Sequence, residues 1–266
     1  MITWFLSKKK IKTVNKNDFV SLASHELRSP LSIIKWYTEI LLDGDGGVIT
    51  EEQRKYLTVI ENSNQRAIDL IRSLLNVSRL DLDTFGISPE ELSISDLVSG
   101  LVASVQSEAL KKKIEFIEEK EEGLQNILVD KHLTTLVLKQ PLINAIAFSK
   151  DGNSVKVSTF CVSSGGVVGG MVVPEESIVV SVVDSGIGIP DQDQSKIFTK
   201  MFRGSNVEDT VGSDSGLGLY VAKTVMNLPY VEGDMWFTSI VGQGTTFYTA
   251  FPIKGMKKKE GKTVLE

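Results

Sequence analysis

At 266 residues, with a formal net charge of −5 and a pI near 5.3, the chain is long enough for two domains and too acidic to offer a nucleic acid a basic face. Its hydrophobic content of 41% and charged content of 24% are those of a globular protein, which excludes intrinsic disorder. A single cysteine, Cys161, excludes an internal disulfide framework and fits a reducing cytoplasm, and no apolar run approaches the ~20 residues that span a bilayer.

The first residues, Met1 to Leu6, are followed by Lys8, Lys9 and Lys10. They read either as the last turn of a membrane helix with a basic flank or as a short start with a solvated charge run. Next comes a predicted helix from Thr13 to Leu42. Its apolar positions Val20, Ala23, Leu27, Pro30, Ile34, Tyr37 and Leu41 step by three and four, the seam spacing of a bundled helix. His25 points away from that seam, with Asp18, Ser21, Arg28, Ser29 and Ser32. An exposed histidine is often only a tolerated surface residue; beside Glu26 it can also be a nucleophile with its own base. Pro30 removes an amide from the helix ladder, so a bend beside His25 is expected.

The turn Asp43 to Gly47 closes this helix, and Thr50 with Gln53 offers a capping box for the next. The second helix carries Leu57, Ile60, Asn64, Ala67, Ile71, Leu74 and Ser78 at the same spacing. Two helices cannot hide both stripes alone, and pairing with a second copy would make a four-helix bundle. Asn64 on the seam would either fix register or be solvated locally.

Residues Asp83 to Glu91 read as a linker. A short strand at Leu92 to Ile94 and a helix from Asp96 to Lys112, capped by Ser95, follow. Strands at Ile114 to Ile117 and Ile127 to Val129 lead to a helix capped by Asp130 that runs to Phe148. The runs Val155 to Val162 and Ile178 to Val183 are strand-like, joined by a glycine- and valine-rich loop. A helix begins near Gly216, and strands at Met235 to Ile240 and Thr245 to Phe251 close the domain. The tail with Lys257, Lys258 and Lys259 is expected to be solvated. The mixture suggests an α+β sandwich.

Several local patterns carry chemistry. Asp184, at a strand end before Gly186 and Gly188, suits a flat ring that bears amino donors; glycine turns after strands are also common in folds that bind nothing. Gly216 and Gly218 open a helix whose free amides could meet phosphate oxygens, or form an ordinary loop-to-helix junction. Asn144 lies in an otherwise apolar helix, where its carbonyl oxygen is either a hard ligand for magnesium or a cap for neighbouring backbone.

Taken in order, these elements resemble the sensor histidine kinases of two-component signalling, from about Asn15 to Phe251. The matching motifs are Phe19 to Leu31 around His25, Gln140 to Ile146 around Asn144, Asp184 to Gly188, Ile197 to Arg203, Ser215 to Leu219, and Gly242 to Phe247. The resemblance implies a helical hairpin that dimerises into a four-helix bundle, followed by an α/β sandwich of the gyrase, chaperone, kinase and MutL ATP-binding type. The corresponding segments are an N-terminal basic segment (1–14), a dimerisation and phosphotransfer domain (15–82), a linker (83–91), a catalytic ATP-binding domain (92–254) and a basic tail (255–266).

It further implies ATP and Mg2+ as cofactors, a homodimer, a response-regulator receiver domain as partner, and no nucleic acid. The implied location is the cytoplasm, at the membrane's inner face if an upstream anchor exists. His25 would be the phospho-acceptor and Glu26 the group that takes or polarises its proton. Ser29 would sit where relatives place a water-orienting threonine or asparagine. The nucleotide would be bound by Asn144, Lys150, Asp184, Gly186, Gly188, Phe198, Ser215, Gly216, Leu217, Gly218 and Thr245, with Asn144 and Gln140 toward magnesium. Residues Arg203 to Ser215 would form a lid. Gln140, Pro141, Ala147 and Asp214 depart from the family pattern, as does the stretch Asn227 to Gly233, and suggest altered ATP handling. The alternative is a weakened relative that acts mainly as a response-regulator docking protein or phosphatase.

Overall fold

A computed structural model describes residues 16–207 and 215–265, with side chains described from Glu26 onward. The N-terminal basic segment 1–14 and Asp214 lie outside the described residues, and so does the side chain of His25. The chain divides into two compact units, with the division after Asn64.

The first unit holds helix α1, Lys16–Asp43, and the start of α2, Glu51–Asp81. Helix α1 continues through Pro30. The expected capping box is present: the Thr50 amide donates to Gln53 Oε1 at 2.8 Å and the Gln53 amide to Thr50 Oγ1 at 3.1 Å. Asn64 is buried, and its Nδ2 donates to the carbonyl of Leu31 at 2.9 Å. It therefore ties α1 to α2 within one chain and is not locally solvated, as one sequence reading had it.

The second unit is a sandwich. Strand β1, Glu90–Leu92, pairs antiparallel with β3, Ile127–Val129. Helix α3 spans Ile94–Lys111, β2 Glu115–Lys120 and α4 Lys131–Phe148. The α3 cap is Ser93, not Ser95: Ser93 Oγ accepts from the Asp96 amide at 3.2 Å. Ile94 thus begins a helix instead of ending a strand. Asp130 caps α4 as expected, accepting from the Leu133 amide at 3.0 Å.

Strands β4, Ser154–Val162, and β7, Ser177–Asp184, lie at the centre of the main sheet. After the short α5, Asp191–Gln194, come α6, Gly218–Met226, and the strands β8, Asp234–Ile240, and β9, Gly244–Pro252. The sheet order is β2-β4-β7-β9-β8, with only β2 and β4 parallel. Ile178, Val180 and Val182 of β7 join the main core, which also holds residues of α3, α4 and α6.

The glycine- and valine-rich stretch is a hairpin, not a loop. Strand β5, Val167–Val168, pairs with β6, Met171–Val172, across Gly169 and Gly170, both at positive φ. That geometry suits the two-residue turns that match strand twist. Val168 and Val173 pack with Val162, Val179, Trp236, Ala250 and Tyr248 on the opposite side of the sheet, and Trp236 Nε1 donates to the Val168 carbonyl at 3.1 Å. This second layer explains why β7 is buried almost throughout.

Neither the expected linker nor the expected solvated tail is one. Phe85 and Ile87 are buried and pair with Thr263 and Lys259, and Met256 and Leu265 are buried as well. The apolar residues of both segments close a gap in the core that the sheet and helices leave open.

Candidate functional site

The site lies at the end of β7, where the apolar strand delivers Asp184 to a pocket. The carboxylate is only 7% exposed, and its Oδ1 accepts from the amides of Gly186 at 2.8 Å and Thr245 at 3.2 Å. Burial pushes its pKa up to about 6, and the two amide bonds partly oppose that rise. Gly188 follows at φ +66, and a Cβ there would strike the Ile240 carbonyl, so only glycine fits. Ser239 Oγ lies 2.9 Å from Thr245 Oγ1 and accepts from the Ile189 amide at 2.8 Å, which fixes both sides of the Asp184 turn.

Helix α4 supplies Asn144, which is 7% exposed and whose Oδ1 accepts from Gln140 Nε2 at 3.1 Å. Phe148, Ile187, Ile189, Ile197, Phe202 and Phe247 provide apolar walls. The segment 203–207 forms one rim. Asn206 Nδ2 donates to the Gly188 carbonyl at 2.9 Å, and the Ser205 amide donates to Asp193 at 2.6 Å. That bond and the Ser205 hydroxyl hold the Asp193 carboxyl below its ordinary range. Gly216 lines the pocket at φ +67, just before α6. An apolar pocket lined by one buried carboxylate suits a planar ring that carries amino hydrogens.

Of the residues expected from sequence, Asn144, Asp184, Gly188, Gly216 and Thr245 line this pocket together. Gly186 backs onto the Phe148 carbonyl. Ser215 Oγ accepts from the Leu217 amide at 3.3 Å, Leu217 is buried, and Gly218 is the first residue of α6. Two expectations fall elsewhere. Lys150 is exposed and does not line the pocket, because the chain turns away after α4. Phe198 packs against the core, 5.9 Å from the Phe237 ring, with the Lys223 ammonium 5.5 Å from its centroid. Phe202, four residues on, faces the pocket instead. The expected lid, Arg203 to Ser215, is described over 203–207 and at Ser215; residues 208–214 lie outside the described residues.

The apolar walls escaped the sequence reading because strand and loop isoleucines look like core. Only the alternation of β9, which puts Phe247 on the same face as Thr245 and Phe251, could have signalled one of them. In the other unit, α1 carries Glu26 and Ser29, both exposed, with His25 in the same helix. Among the described residues no helix is long and apolar enough to cross a membrane.

Two family models match. The His Kinase A (phospho-acceptor) domain covers residues 15–83, and the histidine kinase-, DNA gyrase B- and HSP90-like ATPase covers 129–255. The sensor histidine kinase WalK of Bacillus subtilis is 30% identical over 239 residues, 90% of this chain and 37% of WalK. The circadian input-output histidine kinase CikA of Synechococcus elongatus is 29% identical over 238 residues, 89% of this chain and 30% of CikA. The chain thus spans well under half the length of either relative. Full-length ShkA, solved in complex with AMPPNP, shares the fold with a TM-score of 0.67 at 22% identity, over 92% of this chain and 47% of that one.

Proposed function

The chain belongs to the two-component sensor histidine kinases, and we propose that it is an ATP-dependent autokinase that phosphorylates His25 and passes the phosphoryl group to an aspartate of a response-regulator receiver domain. The observation that carries this reading is the pairing, in one chain, of the helix bearing His25 and Glu26 with an apolar-walled pocket that buried Asp184 lines.

Adenine enters between the apolar walls and gives its amino hydrogens to the Asp184 carboxylate. Its phosphates run toward Gly216 and the first turn of α6, whose amides lack intrahelical acceptors. Asn144 offers a buried, neutral, hard oxygen, which fits magnesium held mainly by phosphate and water. Bound there with the nucleotide, magnesium would neutralise phosphate charge.

The imidazole of His25 attacks the γ-phosphorus in line: the N–P bond forms as the bond to the ADP oxygen breaks. A reference pKa near 6.5 leaves the ring largely neutral and nucleophilic at neutral pH. Glu26 takes or polarises the proton on the other ring nitrogen. Ser29, one turn away, would orient water for hydrolysis of the phosphohistidine to histidine and inorganic phosphate.

The test is incubation with γ-labelled ATP and magnesium. Acid-labile label on the wild type that is absent from His25→Gln is the expected result. Nucleotide binding with no label on either protein would defeat the reading.

The hairpin is proposed to form the homodimer. Along the seam, Leu27, Ile34, Tyr37 and Ile60 are 51%, 42%, 56% and 46% exposed in a single chain, an apolar face that a second copy would cover. Ile34→Lys is expected to shift the protein from dimer to monomer in light scattering at micromolar concentration. A dimer of unchanged stability would place the interface elsewhere.

A further inference from the structure

The glycines of the nucleotide pocket are not all glycine for one reason. At Gly186, Gly188 and Gly216 an added Cβ would strike main chain: the carbonyls of Phe148, Ile240 and Phe202. At Gly218 the three nearest atoms all belong to one side-chain tip, the carboxamide of Gln140, with Nε2 at 2.7 Å and Oε1 and Cδ nearer still. Gln140 stands one turn before Asn144 on α4, and its Nε2 donates to Asn144 Oδ1 at 3.1 Å. One carboxamide therefore touches both the buried asparagine and the first residue of α6. The extra methylene of glutamine over asparagine supplies that reach.

We propose that Gln140 is a positioning residue whose carboxamide bridges α4 to the start of α6, holding the Asn144 oxygen and the phosphate-facing turn in register before nucleotide arrives. The bridge itself is a feature of the fold; its consequence for magnesium and phosphate rests on the nucleotide-site reading above.

A double-mutant cycle in the full chain separates the two levels. In the wild-type background, Gly218→Ala must push the Gln140 amide off Asn144, and the melting temperature of the nucleotide-free protein is expected to fall by roughly 2–4 °C. In the Gln140→Ala background the space is open. Alanine is the better helix former, so the same change is expected to be neutral or to raise the melting temperature. A shift of the same sign and size in both backgrounds overturns the bridge.

The positioning claim is read from binding of a fluorescent ATP analogue with and without magnesium. Gln140→Ala is expected to cut the magnesium-dependent gain in affinity by about 3- to 10-fold, while magnesium-free affinity changes less than twofold. A gain equal to that of the wild type overturns the positioning role even if the thermal coupling is present. A wild type that binds no nucleotide defeats the nucleotide-site reading, whereas the thermal cycle is unaffected by that failure.

Discussion

Asp184→Asn is expected to weaken ATP binding at least ~100-fold at neutral pH while making the nucleotide-free protein more stable. The two effects share one cause. The carboxylate is buried, two backbone amides donate to one of its oxygens, and its pKa is raised to about 6. A carboxyl group whose folded pKa exceeds its unfolded value near 3.9 adds stability below pH ~4 and loses it as pH rises through about 6. At pH 7 the empty pocket therefore holds an unfavourable charge, worth on the order of 2–3 kcal/mol at full shift.

Asparagine keeps an oxygen for the amides of Gly186 and Thr245 and removes the charge. Its amino group then faces the amino group of adenine, donor against donor, and the charge-assisted bond is lost. Calorimetric titration with ATP should show the affinity loss. Melting curves from pH 4 to 8 should show a wild type that loses stability between pH 4 and 6 relative to the variant. The exposed pair that holds Glu232 down to about 2 is common to both proteins and cancels in that difference. Equal pH profiles, or unchanged ATP affinity, would remove Asp184 from the centre of the site.

That acid was legible in the sequence because an apolar strand, an abrupt carboxylate and two glycines, a common pattern alone, stand in order with the other motifs. Asn144 was legible as a polar residue in an apolar helix, and Thr245 only through the resemblance, in the turn Gly242 to Phe247. The failures have physical causes too. Phe198 and Phe202 are both aromatic in one short segment, and only the turn at Met201, with φ +59, decides which faces the slot. Ser93 and Ser95 flank one isoleucine, so spacing alone could not choose the cap. Asn64 sat on a seam as expected, yet its partner is a carbonyl of its own hairpin, a fact set by how α1 and the start of α2 meet. The hairpin at Val167 to Val172 was misread because its strands are only two residues each, too short for a period to show.

The tail departs furthest from its expected solvation, and its packing leads to the other large expected effect. A chain ending after Gly255 should lose the fold of the catalytic unit, or melt at least ~10 °C lower. Three neighbouring lysines read as solvated charge, but the Lys259 side chain is only 7% exposed. Its Nζ donates to the carbonyls of Asp83 at 2.9 Å and Phe85 at 2.6 Å, and lies 4.5 Å from the Phe85 ring centroid. Around it the backbone pairs Ile87 with Lys259, Gly86 with Thr263, Thr84 with Lys262 and Leu128 with Met256. Truncation removes the buried side chains of Met256 and Leu265 and uncovers Phe85 and Ile87. At about 1.5–3 kcal/mol for each of these four buried apolar side chains, the loss is on the order of 6–12 kcal/mol, comparable to the whole stability of a typical domain. Graded variants make the cause visible. Lys258→Ala, at an exposed position, should be neutral, and Leu265→Ala should cost about 2–5 kcal/mol in urea unfolding. A truncated chain that melts within a few degrees of the full one would mean that Phe85 and Ile87 find other cover, and that the tail is the solvated segment its lysines suggest.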